Sequence, residues 1–493
     1  MPEQEPASQP PPPTDRLVVT QHRVSIGGRE LHYTATAGTI VLKEEAEKNG
    51  DGGPTVEGER PRATIFFVAY TLDGVDDIAA RPLTFSFNGG PGSSSVWLHL
   101  GLLGPRRVLL NDDGSAPPPP YRLIENEQSL LEVTDLVFID PVNTGFSRVV
   151  PGEAARQFHS FKRDIESVGD FIRLYTTRYR RWRSPKYLIG ESYGTTRAGG
   201  LAGYLQERHG LYLNGLMLVS AVLNFGTLEF DPGNDLPAIL FLPTYAATAF
   251  YHGRLPAELQ RDLRATLAEV EAFALGEYAA ALLQGANLDP ERRAQIAARL
   301  ARYTGLSVEY LERCDLRVRD DRFVKELLRH EGRTVGRLDS RFKGIDRDAA
   351  GERAELDPSY SAIQGPYTAT LNDYVRGELQ FESDLPYEIL SGRVHPWSYS
   401  DHENRYVDVA DTLRRAIAQN PALRVHVASG YYDLATPYFA TDYTLSHLAL
   451  DPSLRSNLST SYYEAGHMMY IHRPSLLRLR EELAAFVTSG LER

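Results

Sequence analysis

Three side chains that could together turn an alcohol into an attacking group stand far apart in this chain of 493 residues. One is a serine in Gly190-Glu191-Ser192-Tyr193-Gly194, which fits the pattern G-x-S-x-G. The β-forming run Tyr187-Leu188-Ile189 precedes it, and a helix-compatible run from Thr195 to about Arg208 follows. Strand, tight turn and helix in that order are the context of a nucleophile elbow. Such a turn holds its serine with strained backbone angles, and glycines on either side remove the Cβ atoms that would clash. The hydroxyl then stands at a helix amino end, where backbone N–H groups favour developing negative charge. A glycine-rich turn with an incidental serine satisfies the same pattern, so the partners must decide.

A serine needs a base, and the base needs an orienting acid. On an elbow of this kind the chain order is Ser, then Asp or Glu, then His, with the partners on loops after later strands. The strand-like run 423–429 leads into Ser429-Gly430-Tyr431-Tyr432-Asp433, placing Asp433 at its carboxyl end. The run 458–463 leads into Glu464-Ala465-Gly466-His467, where Gly466 lets the loop turn inward. Taken singly, Asp433 reads as a turn or helix-cap aspartate and His467 as an ordinary surface or core histidine, with His447 and His472 close by. The order of elbow, acid and base predicts Ser192, Asp433 and His467 as the catalytic residues.

A second glycine loop supports this. Leu83–Phe87 reads as a strand running into Asn88-Gly89-Gly90-Pro91-Gly92-Ser93-Ser94-Ser95. The loop lacks the Gly-Lys-Ser/Thr ending of a phosphate loop and the G-x-G-x-x-G spacing of a dinucleotide site. An oxyanion hole takes one backbone N–H from such a loop and one from the residue after the nucleophile, which assigns Gly90 and Tyr193. Pro91 has no N–H and cannot serve.

These loops need a sheet to position them. Leu17–Leu42 and Ala63–Leu72 read as strands of an antiparallel edge, with an acidic, glycine-rich loop over Glu44–Arg60 between them. Leu83–Phe87, Asp135–Asp140, 187–189 and Leu213–Val222 are apolar runs alternating with helical spacing at Phe161–Arg181, which argues for a mostly parallel sheet. From Asn224 to Ser383 the pattern becomes helical, over Ala257–Leu283, Pro290–Tyr303 and Val308–Arg329, with no buried-strand run. Strand signals return at Leu423–Ser429 and Leu458–Tyr463, with helices over Thr436–Leu450 and Pro474–Leu491. The division expected is a proline-rich disordered tail over 1–16, a sheet core over 17–223, a helical lid inserted over 224–383, and the rest of the core over 384–493.

Net charge is −12, and no cluster of Lys and Arg interleaved with aromatics stands out, so a nucleic-acid partner is not expected. One cysteine, Cys314, excludes an intrachain disulfide. No H-E-x-x-H or Cys/His cluster suggests a metal, and no cofactor is called for. The absence of a basic-then-apolar leader and of a membrane-length apolar run points to a cytoplasmic protein away from membranes, or to a periplasmic or secreted one whose leader was removed.

Asn88–Ser95, Phe138-Ile-Asp-Pro-Val-Asn-Thr-Gly-Phe-Ser147, Gly190–Gly194, Gly430–Asp433 and Ala465–Met468 together resemble the successive signatures of the serine carboxypeptidase family, here in a bacterial-type member without disulfides. The resemblance implies an α/β-hydrolase fold with an inserted helical lid and removal of single residues from peptides with a free carboxyl terminus, by a monomer or homodimer. It also implies that Asn88 and Glu191 hydrogen-bond the substrate's terminal carboxylate. Two carboxyl groups can share such a site only with a proton between them. The family's usual second glutamate falls on Leu102, which cannot share one. That departure keeps an esterase or acyltransferase on the same triad, or a catalytically silent peptide-binding homologue, as alternatives.

Overall fold

The computed structural model of the chain describes residues 13–50 and 53–490. Most of the tail expected over 1–16 lies outside the described residues. Its end does not behave as a tail: Arg16 opens the first strand, and the Asp15 carboxylate accepts from the amide of Val41 and from Arg178.

Among the described residues ten strands form one sheet: β1 (Arg16–Ile26), β2 (Arg29–Gly50), β3 (Gly53–Leu72), β4 (Leu83–Phe87), β5 (Asp135–Ile139), β6 (Arg148–Val149), β7 (Lys186–Ser192), β8 (Gly215–Ala221), β9 (Arg424–Gly430) and β10 (Leu458–Tyr463). Their spatial order is β1-β2-β3-β5-β4-β7-β8-β9-β10, with β6 beside β3. The pairs β1–β2, β2–β3, β3–β5 and β3–β6 are antiparallel, and every pair from β5 to β10 is parallel. The antiparallel edge and parallel centre expected from the sequence are both present. One expectation fails: Glu44–Arg60 is not a loop between strands. β2 and β3 stay in register from Tyr33–Leu72 out to Gly50–Gly53, with shifts after Leu42 and Ala46. Backbone pairing along a hairpin does not require apolar side chains, so composition misread it. Asp51-Gly52, a dipeptide suited to a two-residue hairpin turn, was the available signal.

Side chains alternate across the strands and so face two cores. Tyr187, Ile189, Met217 and Val219 point to one, packed under the last helix, Arg473–Thr488, through Leu476, Leu479 and Leu483. Leu188, Leu216 and Leu218 point to the other, against α1 (Phe161–Arg178) and α2 (Tyr193–His209). The ends are set by local chemistry. The Ser160 hydroxyl accepts from the Arg163 amide at the start of α1, and Gly210, left-handed at φ 59°, closes α2.

Between β8 and β9 lie α3 (Leu236–Tyr251), α4 (Leu263–Phe273), α5 (Pro290–Thr304) and α6 (Pro358–Gly377). The first three share an apolar cluster that also takes in Tyr431, Tyr432, Leu434 and Tyr438 after β9. The expected continuous run Val308–Arg329 is two short helices, Val308–Arg313 and Asp320–Glu326, because Asp315 and Leu316 adopt left-handed angles (φ 49° and 60°) between them. α6 does not join that cluster: Ile363, Tyr367, Leu371 and Tyr374 pack into the first core of the sheet. Among the described residues no helix is long and apolar enough to cross a membrane.

Candidate active site

β7 lies at the middle of the sheet and α2 starts at the very next residue, so Ser192 sits where the chain reverses from one to the other. Its backbone angles are φ 60° and ψ −133°, a region costly for any residue with a Cβ. The flanking glycines are required by contact. A Cβ at Gly190 would lie 2.2 Å from the Gly194 carbonyl oxygen, and one at Gly194 would lie 2.9 Å from that of Phe87. Gly190→Ala is therefore expected to open the elbow, lowering stability by about 2 kcal/mol or more and removing any activity that depends on Ser192, as a melting curve and a hydrolysis assay would show.

Asp433 follows β9 and His467 follows β10, and the two meet. His467 Nδ1 lies 2.7 Å from Asp433 Oδ2. A carboxylate only accepts, so Nδ1 carries the proton and Nε2 is left as the base. Asp433 is fully buried and fully engaged: Oδ1 accepts from the amides of Ala435 (2.8 Å) and Thr436 (3.0 Å), and Oδ2 also accepts from the Thr436 hydroxyl at 2.7 Å. Oδ1 thus makes the contacts of a turn aspartate, while Oδ2 faces the imidazole. Burial alone would lower the His467 pKa, but the Asp433 charge and hydrogen bond outweigh it and leave the imidazole above its ordinary value. His467 lines the same cavity as Ser192, of about 590 Å³. No hydrogen bond joins the two side chains among the described residues; contacts of this kind often tighten only when substrate is bound.

Asn88, Gly89 and Gly90 leave the end of β4 beside the elbow and line the same cavity with Tyr193. A Cβ on Gly89 would stand 2.4 Å from the Tyr193 amide nitrogen, so only glycine lets the two backbones meet. Gly90 has φ 104°, open to glycine alone. Tyr193 is the first residue of α2, and its N–H has no partner within the helix. The loop is braced from below: the buried Asp140 accepts from the Ser95 amide and hydroxyl, both at 2.8 Å, and burial raises its carboxyl to about 6.

Glu191 is buried next to the serine. Asn88 Nδ2 donates to its Oε1 at 3.1 Å, while Asn88 Oδ1 accepts from the Leu98 amide at 3.2 Å, which fixes the amide's orientation. The Tyr470 hydroxyl donates to the other carboxylate oxygen. Burial, opposed by His467, Tyr470 and Asn88, raises Glu191 to about 7. Leu102 is a core residue with no exposure. The second polar partner of Glu191 is Tyr470, which sequence reasoning missed: it lies just beyond His467, but no motif marks a phenol there.

Four further residues were missed, all held by tertiary contacts. Ser220 donates to the His467 carbonyl at 2.6 Å, and Thr436 reaches both Asp433 and His467 Nδ1. Arg197 on α2 and Asp164 on α1 form a buried pair, 2.8 Å apart, and Arg197 also donates to the Asn88 carbonyl. A segment from the helical insertion is stitched to both late loops. The Leu434 amide donates to the Arg337 carbonyl (3.0 Å), Ser340 to Tyr432 (2.9 Å) and His467 to Leu338 (2.6 Å). Gly466 donates to the Asp339 carboxylate at 3.2 Å. Arg337 and Leu338 themselves line the cavity.

A central parallel sheet with helices on both faces, an antiparallel edge and an elbow after its middle strand define an α/β-hydrolase fold. KEX1(DELTA)P, a prohormone-processing carboxypeptidase from Saccharomyces cerevisiae, has a crystal structure that superposes with a TM-score of 0.56 at 17% identity, covering 92% of this chain and 91% of that one. Residues 55–224 match the family model described as serine carboxypeptidase, a stretch that holds the glycine loop, Asp140 and the elbow and stops short of Asp433 and His467. Over that stretch the chain is similar to the serine carboxypeptidase family. The pheromone-processing carboxypeptidase KEX1 of Saccharomyces cerevisiae is 36% identical over 164 residues, covering 32% of this chain and 20% of that protein. Serine carboxypeptidase-like 33 of Arabidopsis thaliana is 27% identical over 170 residues, covering 32% and 31%. The chain thus spans about a fifth to a third of the length of these two curated relatives. They correct the expectation of a cytoplasmic protein, since relatives of this kind belong to secretory, Golgi or vacuolar compartments. Compartment is addressed by a short segment that targeting machinery reads, and it leaves no mark on composition or on the catalytic fold.

Proposed function

We propose that this protein is a serine carboxypeptidase that cleaves the last peptide bond of substrates with a free carboxyl terminus through an acyl-enzyme. The observation that carries this reading is the cavity that Ser192, His467, Asn88 and Glu191 line together, with Asp433 bonded behind the imidazole and Tyr470 behind the Glu191 carboxylate. Ser192 Oγ attacks the terminal peptide carbonyl while His467 Nε2 takes its proton, and Asp433 holds the ring and its charge. The amides of Gly90 and Tyr193 receive the oxyanion. His467 returns the proton to the leaving amine, and water, activated by the same imidazole, releases the acyl group. Asn88 and protonated Glu191 bind the substrate carboxylate, and α3, α4 and α5 form a lid above. Hydrolysis of blocked dipeptides by wild type and not by Ser192→Ala tests the reading. An esterase or acyltransferase on the same triad is the second reading, favoured by Leu102; equal turnover of amidated and free-acid peptides would select it.

The carboxylate site has a pH consequence. Above about pH 7 Glu191 loses the proton it must share, so KM for free-acid peptides is expected to rise there while kcat holds. Tyr470 donates to the ionised form and so holds the pKa down. Tyr470→Phe should move the rise in KM to higher pH, as KM profiles of the two proteins would show. Folding follows the same sign. A carboxyl raised in the folded state gives its full stability below its unfolded value near 4.5, and that is lost as pH climbs toward 7.

A further inference from the structure

The cavity has two walls. Asn88, Glu191, Trp97, Tyr360 and Ile363 form the one on which the proposed carboxylate site lies. The other runs from the Tyr193 ring to Phe225 (6.4 Å between centroids) and on to Tyr399 (5.8 Å), with Leu228 and Glu229 beside them. A peptide whose terminal carboxylate rests on the first wall and whose scissile carbonyl sits over Ser192 must send its acyl-side residue toward the second. The charges facing that wall are unequal in their commitments. Arg337 is paired with Asp320 (3.1 Å), and Arg319 with Asp321 (3.2 Å) and the Phe230 carbonyl. Glu229 has its backbone pinned, its amide to the Phe225 carbonyl at 3.1 Å and its carbonyl to the Asn234 side chain at 2.8 Å. Its carboxylate has no hydrogen bond or ion pair among the described residues. We infer that Glu229 selects a basic side chain, lysine or arginine, on the acyl side of the scissile bond. The field at the wall agrees: partial burial first, and then Asp231 and Asp320, raise the Glu229 carboxyl, while Arg337 and Arg319 pull it down by less. Glu229 itself is exposed, and a net negative field focused in a cleft attracts a cation more strongly than a flat surface does.

The inference rests on the carboxypeptidase reading, and the test separates the two. Blocked dipeptides ending in alanine, with lysine, norleucine or glutamate on the acyl side, differ in charge at nearly constant shape. Wild type should favour lysine over norleucine in kcat/KM by roughly five- to thirty-fold, an advantage that shrinks as salt is raised. Glu229→Gln should bring the two within about two-fold at unchanged norleucine turnover, and Glu229→Lys should favour glutamate. Equal rates for lysine and norleucine in wild type, or a lysine advantage that survives Glu229→Gln, would overturn the role of Glu229 and leave the carboxypeptidase reading standing. No hydrolysis of any peptide would overturn both.

Discussion

Replacing Ser192 with alanine should lower kcat by about 10⁴- to 10⁶-fold with the fold intact, because removing the nucleophile leaves only the binding and oxyanion contributions. The loss should fall on kcat rather than KM, since the Asn88–Glu191 contacts are untouched. Far-UV circular dichroism on the same sample would establish that the chain is still folded, and undiminished hydrolysis would place the nucleophile elsewhere. The same position makes a second demand. At φ 60° and ψ −133° any Cβ is strained, so Ser192→Gly should be as inactive as the alanine variant yet more stable than wild type. The expected gain is about 1 kcal/mol, the relief of strain less the entropy that glycine adds to the unfolded chain, and a rise in melting temperature would report it. An inactive glycine variant that melts below wild type would show that the serine side chain contributes more than its strain costs.

The second large effect is expected at Arg197. Its side chain and that of Asp164 are 1% and 3% exposed, and the guanidinium lies between the rings of Phe87 and Tyr193, at 5.4 and 5.3 Å. Arg197→Ala strands a buried carboxylate and frees the Asn88 carbonyl, and should destabilise by about 3–5 kcal/mol. Burial already raises Asp164, and Arg197 holds it down, so the variant's carboxyl should rise further. A carboxyl raised in the folded state opposes folding as pH climbs past its unfolded value. The deficit against wild type should therefore grow from about pH 4 upward, and denaturant unfolding at several pH values measures it. Replacing both partners by apolar residues of similar volume should recover much of the loss. A deficit of under about 1 kcal/mol at neutral pH would mean that water or another side chain has replaced the guanidinium.

What the sequence made legible was local. The elbow could be read because one short run must contain the strand, the two glycines that avoid collision and the start of the helix. Asp433 and His467 followed from chain order and from their places after apolar strands. Leu83–Phe87 and Leu458–Tyr463 were found to the residue, the first a short buried run and the second, only partly buried, rich in β-forming Thr and Tyr. What stayed hidden is made by contacts between distant segments. Tyr470 meets Glu191, Arg197 meets Asp164, and residues 337–340 meet two loops, each by geometry that no spacing encodes. The hairpin arms of β2 and β3 escaped for a different reason, their pairing being carried by backbone while the charged side chains spoke for a loop. The extent of the insertion expected over 224–383 is blurred by α6, which lies inside those bounds yet packs into the first core of the sheet.

The stitching of residues 337–340 to the loops of Asp433 and His467 has a consequence for how such a protein can change. Those residues also present Arg337 and Leu338 to the cavity, so one short stretch both lines it and supports the loops of the proposed acid and base. Altering it to accept a new peptide would disturb the alignment of the machinery that cleaves it. Taste and speed are mechanically joined at this seam, and a cap transplanted from a relative would bring the donor's preferences only if its seam came with it.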